Sequence, residues 1–257
     1  MEPPTTPKTG PAAMAAKAIA PKPTRHWRAR IFRAYLVTAL TAFGVLFVLA
    51  SFVNYLPIDL TITHRVQTIN AAWFSSLMWA VSIVGYSPQV EVLIGILVLS
   101  LFLIGLRWEA VMALVSAVGA SGLDGLIKVI VHRPRPGIDL VHVVDLLNSY
   151  SFPSGHVFVY TAFFGFLLFL AYTLLKPSLA RTCLLVVLGS LVALVGLSRI
   201  YLGDHWASDV AAAYLLGSVW LAVSVTAYQW GKTRFFVRQP LAPEQPKPPA
   251  SAPPPSA

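Results

Sequence analysis

Six long apolar runs divide the amino-acid sequence, and they constrain the fold more than any other feature. The first run, 34–53, contains 20 residues without a charge. As a helix rising 1.5 Å per residue, it can cross a hydrocarbon core of about 30 Å. The sequence therefore predicts an all-α polytopic membrane protein, a bundle of six transmembrane helices. The remaining runs are 92–106, 109–131, 157–175, 182–198 and 210–230.

The segment between the first two runs has a different character. Residues 54–65 carry polar and charged side chains and are interpreted as a loop. Residues 66–86 are moderately apolar and contain Trp73, Trp79 and Tyr86. Aromatic side chains favour the headgroup level of a membrane. We expect an additional interfacial helix here, between spans one and two, with a true span as the alternative.

The two ends of the chain are polar, basic and rich in proline. Residues 1–33 cannot bury enough apolar surface to fold alone, so we expect a disordered N-terminal tail. Residues 231–257 form a Pro-rich C-terminal tail that we expect to be extended and solvated. The six-span domain then occupies residues 34–230.

The distribution of charge predicts an orientation. Six spans place both termini on the same side, and that side holds fourteen of the 19 Lys and Arg residues. By the positive-inside rule the tails are cytoplasmic and the membrane is the plasma or inner membrane. The net charge of +9 is therefore attributed to topology and to contact with anionic lipid, not to nucleic acid. No specific protein partner is predicted, and a single cysteine excludes an intrachain disulfide.

Ionisable residues, together with one serine, concentrate at the extracytoplasmic ends of the last four runs. Charges at bilayer depth are costly and usually face the protein interior or a wet cavity, so they indicate a site. Several are cations, and the planar guanidinium of Arg suits phosphate, which favours an anionic ligand. No carboxylate cluster suited to a metal appears on this side, so we expect neither metal nor cofactor. The set comprises Lys128, His132, Arg133, Arg135, Ser154, His156, Arg199, His205 and Asp209.

Two short stretches within this set indicate chemistry. In Pro153–His156, Ser154 can cap the fourth apolar helix, whose first N–H groups then face an anion. His205 and Asp209 are four apart and share a helix face, so the carboxylate can orient the imidazole. On its own this pair suits a base, a nucleophile or a metal ligand. Beside the cations it favours phosphoryl transfer, with His205 as nucleophile and His156 as general acid.

Three motifs then appear in order: Lys128-x₆-Arg135-Pro136, Pro153-Ser154-Gly155-His156 and Ser198-Arg199-x₅-His205-x₃-Asp209. Together they resemble the signature of the type-2 phosphatidic acid phosphatase superfamily, which also contains the vanadium haloperoxidases. The resemblance implies a metal-independent phosphatase that forms a phosphohistidine. It assigns His205 as nucleophile, Asp209 as its orienting partner and His156 as the acid and then the base. The phosphate oxygens would be held by Lys128, Arg135, Ser154, Gly155 and Arg199.

Three neighbouring charges have more than one interpretation. Arg133 is either a second phosphate contact or a headgroup anchor. Asp204 is interpreted as an exposed loop residue at the rim of the site, and Asp124 as a structural partner of Lys128.

The expected function is hydrolysis of a lipid phosphate or pyrophosphate at the extracytoplasmic surface, with the substrate arriving from the outer leaflet. Undecaprenyl pyrophosphate, phosphatidic acid and phosphatidylglycerol phosphate are the candidate substrates. One alternative is a phosphotransferase that passes the phosphoryl group to a sugar, inositol or lipid acceptor. Another is a non-enzymatic lipid transporter. A haloperoxidase is disfavoured because those relatives are soluble.

Overall fold

The computed structural model describes residues 23–236, with side chains from Trp27 onward. Over this range all regular secondary structure is helical, which confirms the all-α prediction. The eight helices of the described range are α1 Pro23–Phe52, α2 Pro57–Gln67, α3 Ala72–Ile83, α4 Gln89–Leu103, α5 Arg107–Val131, α6 Gly155–Leu174, α7 Leu179–Tyr201 and α8 Ala207–Phe236.

Five of these helices are long and apolar enough to cross a membrane: α1 from Trp27 onward, α5, α6, α7 and α8. Helix α4 corresponds to the predicted second span but has only 15 residues. At 1.5 Å per residue it is about 22 Å long, which is less than a typical hydrocarbon core. Helices α2 and α3, with 11 and 12 residues, lie between α1 and α4 in the chain.

The predicted loop at residues 54–65 is wrong, because α2 begins within it. Pro57 occupies the first turn, where a missing N–H costs nothing. The Asp59 carboxylate accepts a hydrogen bond from the Leu56 amide at 2.9 Å, and this contact caps the start of the helix. The predicted single helix over 66–86 is divided, since α2 ends at Gln67 and α3 starts at Ala72.

The predicted tails overlap the described residues in part. Helix α1 begins at Pro23, so residues 23–33 are helical and not disordered. At the other end, α8 continues to Phe236 through a final π-turn. The predictions for residues 1–22 and 237–257 lie outside the described residues.

Helix α6 is the most buried of the five membrane-crossing helices, and several of its buried side chains are aromatic. Phe158, Phe163 and Phe166 are fully buried. Helix α8 packs closely against it at Gly217, where a Cβ atom would lie 2.9 Å from the Thr161 side chain. Small residues at such contacts allow two membrane helices to approach each other.

A π-turn over Tyr160–Phe164 interrupts the α-helical pattern of α6. Such a turn accommodates one extra residue and frees carbonyl groups from the regular ladder. The Ala162 carbonyl in this turn accepts a hydrogen bond from Ser116 Oγ of α5 at 3.1 Å, besides one from the Gly165 amide. A neighbouring helix therefore adds a contact to the irregular turn.

The segment between α5 and α6 brings the polar residues together at one end of the bundle. Helix α5 ends at Val131, and the next residue, His132, has a left-handed φ of 53°. The chain then folds back: the Ser151 amide donates to the Arg133 carbonyl at 2.8 Å, and the Ser154 amide to the Asp209 carbonyl at 3.3 Å. Gly203, with φ 74°, permits the tight turn between α7 and α8. The three sequence motifs therefore meet at one place.

Candidate active site

His205 lies on the turn between α7 and α8 and is 1% exposed. Its Nε2 atom is 3.1 Å from Arg135 Nη1, and its Nδ1 atom is 3.4 Å from Ser151 Oγ. A guanidinium N–H can only donate, so Nε2 accepts and the ring hydrogen is on Nδ1. The imidazole thus presents an unprotonated Nε2 to the site.

The prediction that His205 and Asp209 share a helix face is wrong, because His205 lies on the turn before α8 and only Asp209 is in the helix. The two side chains are also not in direct hydrogen-bond contact. Asp209 Oδ2 is 3.7 Å from His205 Nδ1. It accepts from Ser151 Oγ at 2.5 Å and from the Trp206 amide at 3.0 Å. The other oxygen accepts from Arg133 Nη1 at 2.5 Å. Ser151 therefore lies between the carboxylate and the imidazole.

Two of the three predicted phosphate-binding cations are already paired with a carboxylate. Lys128 Nζ lies 2.7 Å from Asp124 Oδ2, one helical turn away on α5. Arg199 Nη2 lies 2.7 Å from Asp204 Oδ2, and both side chains are fully buried. The predicted pairing of Asp124 with Lys128 is confirmed.

Arg135 has a different environment. It donates to the Ser149 carbonyl at 2.8 Å and to the Asp204 carbonyl at 2.6 Å. Burial, reinforced by the neighbouring Arg199 charge, lowers the pKa of Arg135 to about 10. The guanidinium still carries its full charge at neutral pH, so it can hold a phosphate oxygen.

A cavity of about 210 Å³ opens beside these groups. Several buried polar atoms at this end of the bundle, among them Ser154 Oγ and His156 Nε2, have no hydrogen-bond partner within the described residues. Buried polar atoms are nearly always satisfied, so unpaired ones beside a cavity indicate where a ligand binds. The backbone of Gly155 approaches Lys128 closely, since a Cβ atom at this position would lie 3.1 Å from Lys128 Nζ. The lining residues include Val90, Glu91, Ile94, Asp124, Lys128, Gly155, His156, Tyr160 and His205.

The segment between α3 and α4 covers His156. A Cβ atom at Gly85 would overlap the imidazole, so only glycine allows this contact. Tyr86 presents its ring at right angles to that of His156, with centroids 4.9 Å apart. The Tyr86 hydroxyl also accepts from Arg199 Nη1 at 3.0 Å. Sequence reasoning assigned Tyr86 to a membrane interface and missed both contacts.

Electrostatics keep the candidate nucleophile neutral. Burial lowers the pKa of His205 well below its usual value, and the positive charges of Arg135, Arg199 and Lys128 lower it further. Burial raises the pKa of Asp204, and the Arg199 charge opposes this shift. His205 is therefore an unprotonated imidazole in a cationic site at neutral pH.

Both interpretations of Arg133 are wrong. The side chain is buried, and it forms ion pairs with Asp59 at 3.0 Å and with Asp209 at 2.5 Å. It therefore contacts neither a phosphate site nor the membrane surface. Asp204 is also not an exposed rim residue, because it is 1% exposed and pairs with Arg199.

Asp59 and Ser151 are the other residues of this network that sequence reasoning missed. Asp59 comes from α2, far away in the sequence, and no pattern connects it to the motifs. Ser151 lies two residues before the second motif. This position was the only feature of the sequence that could have indicated a place in the site. Within residues 23–236, no group of three or more His, Cys, Asp or Glu side chains has the arrangement needed to hold a metal ion.

The chain is similar to known proteins in sequence and in fold. Residues 108–233 match the PAP2 superfamily. The chain is 29% identical over 164 residues to phosphatidylglycerophosphatase B of Bacillus subtilis (strain 168), a match that covers 62% of this chain and 77% of that protein.

Two crystal structures share the fold. The first transmembrane PAP2 type phosphatidylglycerolphosphate phosphatase from Bacillus subtilis aligns with a TM-score of 0.63 and 24% identity, covering 77% of this chain and 98% of that one. Aquifex aeolicus LpxE aligns with a TM-score of 0.53 and 19% identity, covering 66% and 96%. With five helices of membrane-crossing length, this is an integral membrane protein. The motifs, the helical bundle and this match together identify a PAP2 superfamily domain at residues 108–233 of the chain.

Proposed function

We propose that the protein is a membrane lipid phosphatase that acts through a phosphohistidine and needs no metal. The observation that carries the proposal is the unprotonated Nε2 of His205, which lies among Lys128, Arg135 and Arg199 beside a cavity. Cations placed around a phosphate stabilise the charge that builds up on its oxygens in the transition state. The names of the relatives, both phosphatidylglycerophosphate phosphatases, agree with this activity.

In the first step, the Nε2 lone pair of His205 attacks phosphorus while the bond from phosphorus to the lipid oxygen breaks. His156, which lines the same cavity and is protonated when the phosphate dianion lies beside it, gives that proton to the departing oxygen. Arg135 exchanges its contact with Nε2 for one with a phosphate oxygen, which frees the lone pair. In the second step, water attacks phosphorus, His156 takes a proton from that water, and Nε2 recovers its electron pair as phosphate leaves.

The surroundings of the cavity favour a lipid as the substrate. Its wall includes Val90 and Ile94 of α4, so apolar side chains lie next to the phosphate site. A lipid could bring its headgroup to His205 sideways from the membrane while its chain stays in the hydrocarbon. Phosphatidylglycerol phosphate, phosphatidic acid and undecaprenyl pyrophosphate are the substrates to compare.

We also propose the topology in detail. The domain of residues 34–230 has six spans, with α4 as a short second span and α2 and α3 at the interface. Both tails are cytoplasmic, and the site opens on the extracytoplasmic face of the plasma or inner membrane. The excess of Lys and Arg on the side of the termini supports this orientation.

The test is a phosphate-release assay on the purified protein in detergent with these three lipids. We expect release from at least one lipid in the presence of EDTA, inhibition by vanadate, and no release by His205→Ala. His64→Ala is the matched control, since His64 is exposed and bonds only the Leu140 carbonyl. Unchanged release by His205→Ala would exclude the proposed nucleophile, and no release by the wild-type protein from any lipid would exclude the function.

A further inference from the structure

We propose that Ser151 is a positioning residue that links Asp209 to His205, so that the nucleophile is held by a relay of three side chains. The inference rests on the proposed function, because it concerns how the candidate nucleophile is oriented. The motif that suggests His205 and Asp209 contains no serine at this place. Ser151 comes instead from the segment between α5 and α6.

The hydroxyl contacts of Ser151 have only one consistent direction, and the Ser151 backbone also interacts with the His205 imidazole. Nε2 of His205 accepts from Arg135, so Nδ1 carries the ring hydrogen and must donate. Asp209, ionised beside Arg133, can only accept, so the single hydroxyl hydrogen of Ser151 points to Asp209 Oδ2 at 2.5 Å. The lone pair of Ser151 Oγ then faces the Nδ1 hydrogen across 3.4 Å. The relay therefore runs from imidazole to hydroxyl to carboxylate.

Asp209 cannot easily move to replace the hydroxyl. Its two oxygens are held by Arg133 Nη1 and by the Trp206 amide, besides Ser151. Ser151 is equally fixed, since it is fully buried and its amide donates to the Arg133 carbonyl at 2.8 Å. The gap of 3.7 Å between Asp209 and Nδ1 is thus bridged in a rigid setting. Rigid support of this kind is what an oriented catalytic group requires.

The relay has a role in each step of the reaction. Formation of the phosphohistidine puts a positive charge on the imidazole, which already lies among three cations. A polarised hydroxyl hydrogen-bonded to a carboxylate stabilises that charge at Nδ1. The relay also fixes the tautomer with Nε2 free, which is the form able to attack. Ser151 therefore affects the chemical step more than substrate binding.

The first test replaces the hydroxyl and measures kcat and KM separately for the best lipid substrate. We expect Ser151→Ala to lower kcat by about 10- to 100-fold, as loss of an orienting partner commonly does, with little change in KM. Ser116→Ala is the matched control, because Ser116 is also a fully buried serine with one hydrogen bond, but it contacts the α6 backbone instead of the site. We expect it to retain wild-type kcat.

The second test separates a relay from a packing role. If Ser151 acts through Asp209, the kcat losses of Ser151→Ala and Asp209→Asn are much less than multiplicative in the double variant. Ser151→Thr and Ser151→Val have the same shape and differ only in the hydroxyl, so only Thr should retain activity.

Multiplicative losses, equal activity of the Thr and Val variants, or a kcat of Ser151→Ala within twofold of wild type would each overturn the relay. The proposed phosphatase would survive any of these results, provided that the wild-type protein releases phosphate and His205→Ala does not.

Discussion

At the scale of single residues, His205 must meet two requirements at once. The site must hold an anion, so cations surround the imidazole, and the nucleophile must stay unprotonated in the same place. Burial and the cations act in the same direction, since both disfavour a second positive charge. A nucleophile that is neutral at physiological pH follows from the same charges that bind the substrate.

This arrangement predicts how stability depends on pH. Below about pH 6.5 the unfolded chain protonates His205 while the folded chain does not, because its pKa is lower in the fold. The free energy of unfolding should therefore fall as pH falls, by up to about 1.4 kcal/mol per pH unit from this residue. Thermal unfolding in detergent between pH 7.5 and 5.5 should show a steeper decline for wild type than for His205→Asn. Parallel curves would contradict the prediction.

Arg133 connects two carboxylates that would otherwise repel each other. It pairs with Asp59 of α2 and with Asp209 of α8, and all three side chains are buried. It also donates to the Asn54 carbonyl at 3.0 Å. One guanidinium therefore holds α2, α8 and the connection between α1 and α2 together behind the candidate nucleophile.

Removing this guanidinium should be more damaging than removing one of its partners. Arg133→Met leaves two buried carboxylates without a counter-charge, a loss of about 3–5 kcal/mol for a broken buried pair. Asp59→Asn leaves the pair of Arg133 with Asp209 intact, so its unfolding temperature should lie between wild type and Arg133→Met. An Asp59→Asn protein as unstable as Arg133→Met would show that Asp59 has a further structural role.

At the scale of elements, the π-turn of α6 is the main irregularity within the bundle. An extra residue in a regular helix would rotate everything beyond it by about 100°. The π-turn accommodates that residue instead. The helix faces before and after the turn therefore stay directed at the same neighbouring helices. Gly155 and His156 can face the cavity at one end while Phe166 and Leu170 face the core at the other.

A deletion within this turn should therefore be tolerated better than one elsewhere in α6. Removing Ala162 allows the turn to become regular α-helix without rotating either end. Removing Leu168, in the regular part, shifts the two ends by about 100° relative to each other. We expect measurable folded protein by size-exclusion chromatography for the first deletion and little for the second. Equal loss in both would contradict the assignment of the extra residue to the turn.

The long helices were largely predictable, and α2 was not. The apolar runs 109–131 and 157–175 closely match α5 and α6, because the lipid core itself requires uninterrupted apolar residues. Helix α2 carries Asp59 and Arg65 and therefore has the composition of a loop. Its buried Asp59 is stabilised by Arg133 from a distant segment. The sequence around Asp59 does not indicate that partner.

At the scale of the whole molecule, the candidate site was predictable as a set of residues but not as a network. The spacing of the motifs gave His156, His205 and the cations, since each motif is local in sequence. The contacts among them depend on how the 132–154 segment folds over the helix ends. Ser151 and Tyr86 enter the site only through that folding, so a single sequence could not reveal them.

The proposed topology can be tested with cysteines, since the chain has a single natural one. In a Cys183→Ser background, Asn70→Cys and Ser178→Cys introduce one exposed thiol each, in the turns before α3 and α7. A membrane-impermeant maleimide added to intact cells should label the first and not the second. The reverse pattern would place the site on the cytoplasmic face, and labelling of both would contradict the six-span arrangement.

The pairing of Lys128 with Asp124 and of Arg199 with Asp204 has a consequence for turnover. A site of three free cations would hold inorganic phosphate tightly and suffer product inhibition. Internal carboxylates make phosphate binding an exchange of partners, so the product leaves more easily. Asp124→Asn should lower the inhibition constant for phosphate roughly fivefold, the equivalent of about 1 kcal/mol. An unchanged inhibition constant would show that Asp124 does not compete with the product. Release of phosphate would then depend on another feature of the site.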